Sequence, residues 1–189
     1  DVQNLVNNLK ESNPVLVDEL VPKLLGLGEI QKVLQNLLSE GISIRDLLTI
    51  FETLADHAPA TRDTDVLTEY ARQSLKRAIS SKYFPANETT SVITVDPKIE
   101  QEIMGSVKQT EQGAYLTLDP ERTKAIMASV EEEVAKLENM GKPAIIMTSP
   151  IVRMYFKKLT EDYFKDLTVL SYNEVESNVE LQSVGMVTI

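Results

Sequence analysis

The chain has 189 residues, 42% of them hydrophobic and 25% charged, which is the composition of a globular protein with room for a packed core. Its net charge of −10 repels phosphate backbones and anionic lipid heads, and the acidic excess is concentrated after residue 84. With no cysteine, disulfide frameworks, thiolate metal sites and cysteine nucleophiles are excluded.

The first 84 residues read as helices. Val2, Leu5, Val6 and Leu9 form one apolar stripe; Asn13-Pro14 separates it from a second around Leu16, Leu20 and Val21. Gly26-Leu27-Gly28 breaks the chain. Ile30, Val33, Leu34, Leu37 and Leu38 follow at helical spacing, and Gly41 lies where a left-handed cap is wanted. Ser43 is the expected N-cap of a helix carrying Ile44, Leu47, Leu48, Phe51 and Leu54, which ends near Asp56-His57-Ala58-Pro59. Asp63 or Asp65 caps one long helix with Val66, Leu67, Tyr70, Ala71, Leu75, Ala78 and Ile79. Short connections between such helices predict hairpins stacked into a small superhelix.

The pattern changes at Phe84-Pro85. Strands are expected at Ser91–Val95, Ala114–Leu118, Ala144–Met147, Leu167–Leu170 and Leu181–Val187. Helices are expected over Pro97–Val107, from Asp119-Pro120 to about Met140, and from Ser149-Pro150 to about Thr160. The fold class is therefore α+β: an all-helical, superhelical N-terminal subdomain, then a small α/β subdomain with a mixed sheet. The chain starts at Asp1 directly in an amphipathic pattern, which reads as a piece of a longer protein. No apolar run approaches the roughly 20 residues that span a bilayer.

Chemical motifs are few. His57 is the only histidine and reads as a helix-end residue rather than part of a triad. Gly26-x-Gly28 lacks the third glycine and the preceding strand of a dinucleotide loop. Asp63-x-Asp65 reads as capping, and Glu131-Glu132-Glu133 as a solvated helix face rather than a metal site. Val33–Leu54 has a helix-turn-helix outline, but its second helix offers Arg45 alongside Asp46 and Glu52 in an acidic chain, so no nucleic-acid partner is expected. No enzyme activity, cofactor or metal is expected. The polar face of the first helix, Gln3, Asn4, Asn7 and Asn8, is weakly charged and cheap to desolvate, which makes it a candidate partner-binding face. Tyr83, Phe84 and Pro85 are a candidate hinge.

Val33-Leu34-Gln35-Asn36-Leu37-Leu38, Ile44-Arg45-Asp46 and Glu52-Thr53-Leu54-Ala55-Asp56-His57-Ala58-Pro59 resemble the FlhA family of export-gate proteins. So do Leu20-Val21-Pro22, Leu75-x-Arg77-Ala78-Ile79 and Leu170-Ser171-Tyr172-Asn173-Glu174. The family includes the matching gate proteins of virulence injectisomes, and the resemblance favours its flagellar branch. It implies the C-terminal part of a cytoplasmic region, with residues 1–24 ending an upstream subdomain, 25–84 a helical subdomain and 85–189 the last α/β subdomain. It also implies a docking platform on the cytoplasmic face of the bacterial inner membrane, anchored there only through a preceding N-terminal half, the piece itself being soluble. The implied partners are flagellar export chaperones with their substrates, the export ATPase machinery, the substrate-switch protein and further copies of the chain in a nonameric ring. Arg45 and Asp46 are then candidate ring contacts. A stand-alone acidic adaptor is the rival reading.

Overall fold

The computed structural model describes all 189 residues, and they fall into two compact units, Asp1–Lys82 and Tyr83–Ile189. Residues 1–24 belong to the same unit as the helices that follow them.

The first unit is helical. Its elements are α1 (Val2–Ser12), α2 (Pro14–Leu20), α3 (Leu27–Ser39), α4 (Leu47–His57), α5 (Thr64–Ser74) and α6 (Lys76–Tyr83), the last ending one residue into the second unit. Local chemistry sets the starts. The Asp1 carboxylate accepts from the Gln3 N–H, Pro14 occupies the first turn of α2, and the Glu29 carboxylate reaches back to the Gly26 N–H at 3.0 Å. Asp63 caps α5 through the N–H groups of Asp65 and Val66. Helix α5 packs against both α3 and α4, while α1 and α2 pack on α3 and α4 respectively. Val33, Leu37, Ile50, Phe51, Leu54, Leu67 and Ala71 are buried at this centre. The peptide bond Val21–Pro22 is cis.

Four expectations for this unit need correction. Helix α4 starts at Leu47 with Asp46 as its cap, not Ser43; the Ser43 hydroxyl instead accepts from the Arg45 N–H in the preceding loop, leaving Ile44 outside the helix. The single long helix after Asp63 is two helices, interrupted at Leu75, whose N–H is shared among the carbonyls of Ala71, Arg72 and Gln73. Leu75 and Ile79 stay buried across the break, but Ala78 turns to solvent. Leu38, placed in the α3 stripe, is 53% exposed, because the core side of α3 ends at Leu37.

The second unit is built on a four-stranded sheet of β1 (Thr89–Val95), β4 (Ile145–Thr148), β5 (Thr168–Ser171) and β6 (Glu180–Val187), in the order β5-β4-β1-β6. All its pairings are parallel. The antiparallel component is a separate ribbon of β2 (Val107–Thr110) and β3 (Gly113–Leu116). Strand β2 carries no apolar alternation, which is why periodicity missed it. Its turn is made by the Thr110 hydroxyl donating to the Gly113 carbonyl and accepting from the Gln112 N–H, with Gly113 at φ +117°.

Helices α7 (Pro97–Gly105), α8 (Pro120–Asn139) and α9 (Arg153–Thr160) pack with one face of the sheet, where Ile93, Val95, Ile146, Val169 and Val187 meet Ile103, Ile126, Val130 and Phe156. Val92, Ile145, Met147 and Leu170, of opposite strand parity, are buried too, as the strands of a parallel sheet usually are. Asp96 and Asp119 cap α7 and α8 ahead of a proline in each first turn. Regular helix in α9 begins at Arg153 rather than at Ser149-Pro150, because the Ser149 carbonyl takes the N–H groups of both Val152 and Arg153 in one opening turn. No helix of the chain is long and apolar enough to cross a membrane.

Candidate interaction surfaces

The α1 face is where the sequence placed it. Val6 is buried and Leu5 and Leu9 half-buried, while Gln3, Asn4, Asn7 and Asn8 are all exposed. The Gln3 side-chain amide donates to the Asn7 Oδ1 at 2.9 Å, one turn along. Next to this helix Val15 is 80% exposed at the start of α2, and Lys10 of α1 pairs with Asp18 of α2 at 3.1 Å. This surface is neutral to weakly charged, with one apolar residue.

The loop 40–46 joins α3 to α4. Ile42 is buried and anchors it, and the Lys82 ammonium donates to the Gly41 carbonyl. Gly41 has φ +72°, the left-handed geometry that ends α3. Arg45 and Asp46 are both exposed. The Asp46 carboxylate is already engaged: it accepts from the Thr49 N–H at 3.2 Å and the Thr49 hydroxyl at 2.7 Å. Arg45 makes no ion pair within the chain, so of the two it is the side chain available to a neighbour.

Of the candidate hinge residues, Tyr83 is half-buried at the end of α6, Phe84 is buried and Pro85 is exposed. Asn87 at φ +63° turns the chain toward β1. His57 ends α4 with its ring stacked on that of Tyr70, centroids 3.7 Å apart and planes 6° from parallel. No group of three or more histidine, aspartate or glutamate side chains converges with metal-binding geometry.

Several charged groups are buried that the sequence reading did not expect to be. Arg72 is buried and lies 3.7 Å from the Glu40 carboxylate. Arg153 and Glu174, each 1% exposed, pair at 3.4 Å. Glu133 corrects the reading of its acidic run: Glu131 and Glu132 are solvated, but Glu133 is buried. Its carboxylate accepts from the Met186 N–H at 2.9 Å and meets the Lys136 ammonium at 2.6 Å. It occupies the space left by Gly185, where a Cβ would lie 2.0 Å from Oε1. One signal was available. Ser171-x-x-Glu174 fits a capping box, and it closes the 3-10 turn Tyr172–Glu174 after β5.

On the surface, Arg62 grips Glu29 through two nitrogens, at 2.5 and 3.3 Å, and Arg122 grips Glu102 at 2.6 and 3.0 Å. The guanidinium beside each glutamate holds its carboxyl below the usual range, helped at Glu29 by the Gly26 N–H. Glu100 accepts from the Ser149 N–H at 2.8 Å and its hydroxyl at 2.9 Å. Partial burial, then the Glu100 charge, pushes the Tyr172 phenol up.

The FHIPEP family model matches residues 1–180. The chain belongs to the FHIPEP family. Among its relatives is the Bacillus subtilis flagellar biosynthesis protein FlhA, 50% identical over all 189 residues. The chain spans 28% of that relative's length. Two solved structures share this family member's fold. One is the Chlamydia pneumoniae CdsV and CdsO complex, with TM-score 0.90 and 37% identity, covering 99% of this chain and 55% of that one. The other is the nonameric EscV cytosolic domain from the type III secretion system, with TM-score 0.77 and 36% identity, again covering 99% and 55%. The α+β fold and the FlhA likeness read from the sequence are thus borne out, and so is the link to flagellar biosynthesis and type III secretion.

Proposed function

We propose that this chain is part of the docking platform of a flagellar type III export gate. It receives chaperone–substrate complexes and assembles as a ring on the cytoplasmic face of the bacterial inner membrane, held there by membrane spans elsewhere in the protein. The observation that carries this reading is the likeness, over 99% of the chain, to a cytosolic domain solved as a nonamer. The higher identity to a flagellar relative, 50% against 36%, favours the flagellar branch. The CdsV and CdsO complex supports a protein partner for this fold, here an element of the export ATPase machinery; the substrate-switch protein is a further partner. The chain works by binding, not turnover, and needs no cofactor.

Handover requires reversible contacts of modest area. The amide face of Gln3, Asn4, Asn7 and Asn8 fits that requirement, being exposed and carrying no charge to desolvate. Arg45 reaches across to a neighbouring subunit from a loop whose backbone Ile42 and Lys82 hold in place. Residues 83–88 are the hinge on which the second unit turns.

The deciding experiment places Arg45→Glu in the full-length protein in its own cells. Ring formation and secretion of late flagellar substrates should both fall, while the purified chain keeps its circular dichroism spectrum and melting temperature. Unchanged secretion would reject the ring contact. A separate pull-down of chaperone–substrate complexes with Asn4→Arg/Asn7→Arg tests the α1 face, with loss of capture as the expected result.

A further inference from the structure

Helix α3 ends in a turn that two other helices hold. The Ile42 N–H returns to the Leu37 carbonyl and the Gly41 N–H to the Leu38 carbonyl, both at 2.9 Å, with Gly41 left-handed. In this pattern a helix closes its own last turn, and Leu37 and Ile42 are both buried, as the apolar pair of such a cap usually is. The two residues between them and the loop then each meet a cation from elsewhere. Arg72 of α5 lies 3.7 Å from the Glu40 carboxylate, and Lys82 of α6 donates to the Gly41 carbonyl from 41 positions away. These cations stand on either side of the break at Leu75.

The two ties differ in kind. The Arg72 side chain is 1% exposed and that of Glu40 18%, so parting them would leave charge in a poor solvent, and this tie stays made. Lys82 is exposed. Its ammonium can trade the Gly41 carbonyl for water with little change in free energy, because both partners are hydrated when the bond opens. The bond is nonetheless well placed. Lys82 lies in the last turn of α6 and its ammonium reaches the last turn of α3, so one positive charge serves the carboxyl ends of two helices, where the backbone dipoles leave partial negative charge.

Each end of this breakable tie leads somewhere. On one side Arg45 follows Gly41 by four residues, past the buried Ile42 and the Ser43 hydroxyl that takes the Arg45 N–H. On the other, Tyr83 follows Lys82 and is the first residue of the second unit. We propose that the Lys82–Gly41 bond is a latch coupling the last turn of α6 to the loop that bears Arg45, with Lys82 a positioning residue for the subunit contact, a coupling that rests on reading Arg45 as that contact. With the latch closed, the loop presents Arg45 in one arrangement. With it open, the loop loses one of its ties, and ordering it again opposes assembly. The coupling is reciprocal, so assembly through Arg45 favours the closed latch and steadies the end of α6.

Lys82→Met keeps the aliphatic stem and removes the donor, whereas Lys82→Arg keeps a donor. In the purified chain, amide exchange should quicken about fivefold in Lys82→Met over both residues 41–46 and residues 80–83, leave the centres of α3 and α5 unchanged, and slow again in Lys82→Arg. In the full-length protein, ring formation should fall in Lys82→Met and recover in Lys82→Arg. Quickening in one segment without the other, or throughout the helical unit, would overturn the latch. So would a ring that forms normally in Lys82→Met but is lost in Arg45→Glu. If Arg45→Glu itself leaves the ring intact, the subunit-contact reading fails, and the exchange rates alone decide whether the two segments are coupled.

Discussion

Gly185 is the residue at which a single methyl group should cost most. A Cβ there would overlap the Glu133 carboxylate at 2.0 Å and press on Ile93 Cδ1 at 3.0 Å. Gly185→Ala is expected to lower unfolding stability by about 1–3 kcal/mol in a urea titration. Glu133→Ala in the same chain should recover part of that loss, since it removes the clash as well as the bond to Met186. The Arg153–Glu174 pair sets a second expectation. Arg153→Met strands a buried carboxylate and takes a donor from Val169, a loss of about 3–5 kcal/mol. Arg153→Met/Glu174→Gln should lose less than the sum of the single changes, as a thermodynamic cycle would measure. None of this was visible to sequence reasoning at Glu133, because the other two glutamates of its run are solvated. Three consecutive glutamates point in three directions around a helix, and only the third meets a strand edge.

At the scale of elements, caps and breaks divide what could be read from what could not. Asp119-Pro120 and the pair Asp63-x-Asp65 announced helix starts because a carboxylate before a proline or an amphipathic run has few other roles, and of the pair it is Asp63 that caps α5. The start of α4 was misplaced by three residues because Ser43 and Asp46 are both good caps, and in the fold it is Asp46 that takes the Thr49 N–H. Asp46→Ala should therefore cost about 1 kcal/mol, read as a lower urea midpoint, where Ser43→Ala should cost far less. The break at Leu75 carries neither glycine nor proline, so no residue type marked it in the sequence. Elements are also tied together by surface ion pairs with a definite pH signature. Glu29 and Glu102 have carboxyls depressed by Arg62 and Arg122. Their contribution is thus complete above the ordinary glutamate pKa of about 4.3 and is lost as pH falls through the lower folded values. A stability–pH profile should fall on that acid side, and Arg62→Gln/Arg122→Gln should flatten it by a small amount, as these groups are solvent-screened.

For the whole molecule, the sequence yielded the order of parts and the family, because stripe spacing and motif words survive without coordinates. It could not reveal that the sheet is parallel throughout, nor that its edges are occupied by helix side chains, since these depend on pairings between residues from 10 to about 90 positions apart that no local pattern encodes. The exposure of the α1 amides was legible because they alternate with an apolar stripe, whereas Arg45 was a candidate only through the family resemblance and was placed inside a helix rather than in the loop where it lies. A ring built from copies of this chain sets the expectation at this scale. Low salt should favour assembly if Arg45 meets an acidic group on the neighbour, and Arg45→Glu should remove that salt dependence, as sedimentation at two ionic strengths would report.

The longest pairing in the sheet joins β1, its first strand in the chain, to β6, its last. A ribosome releases Thr89–Val95 some ninety residues before the segment that covers it. During synthesis, β1 therefore waits with one flank unprotected, a run rich in Thr, Val and Ile of the kind that seeds aggregates. A premature stop anywhere before residue 180 would make that wait permanent, so a nonsense allele of this region should yield insoluble polypeptide rather than a shortened working module.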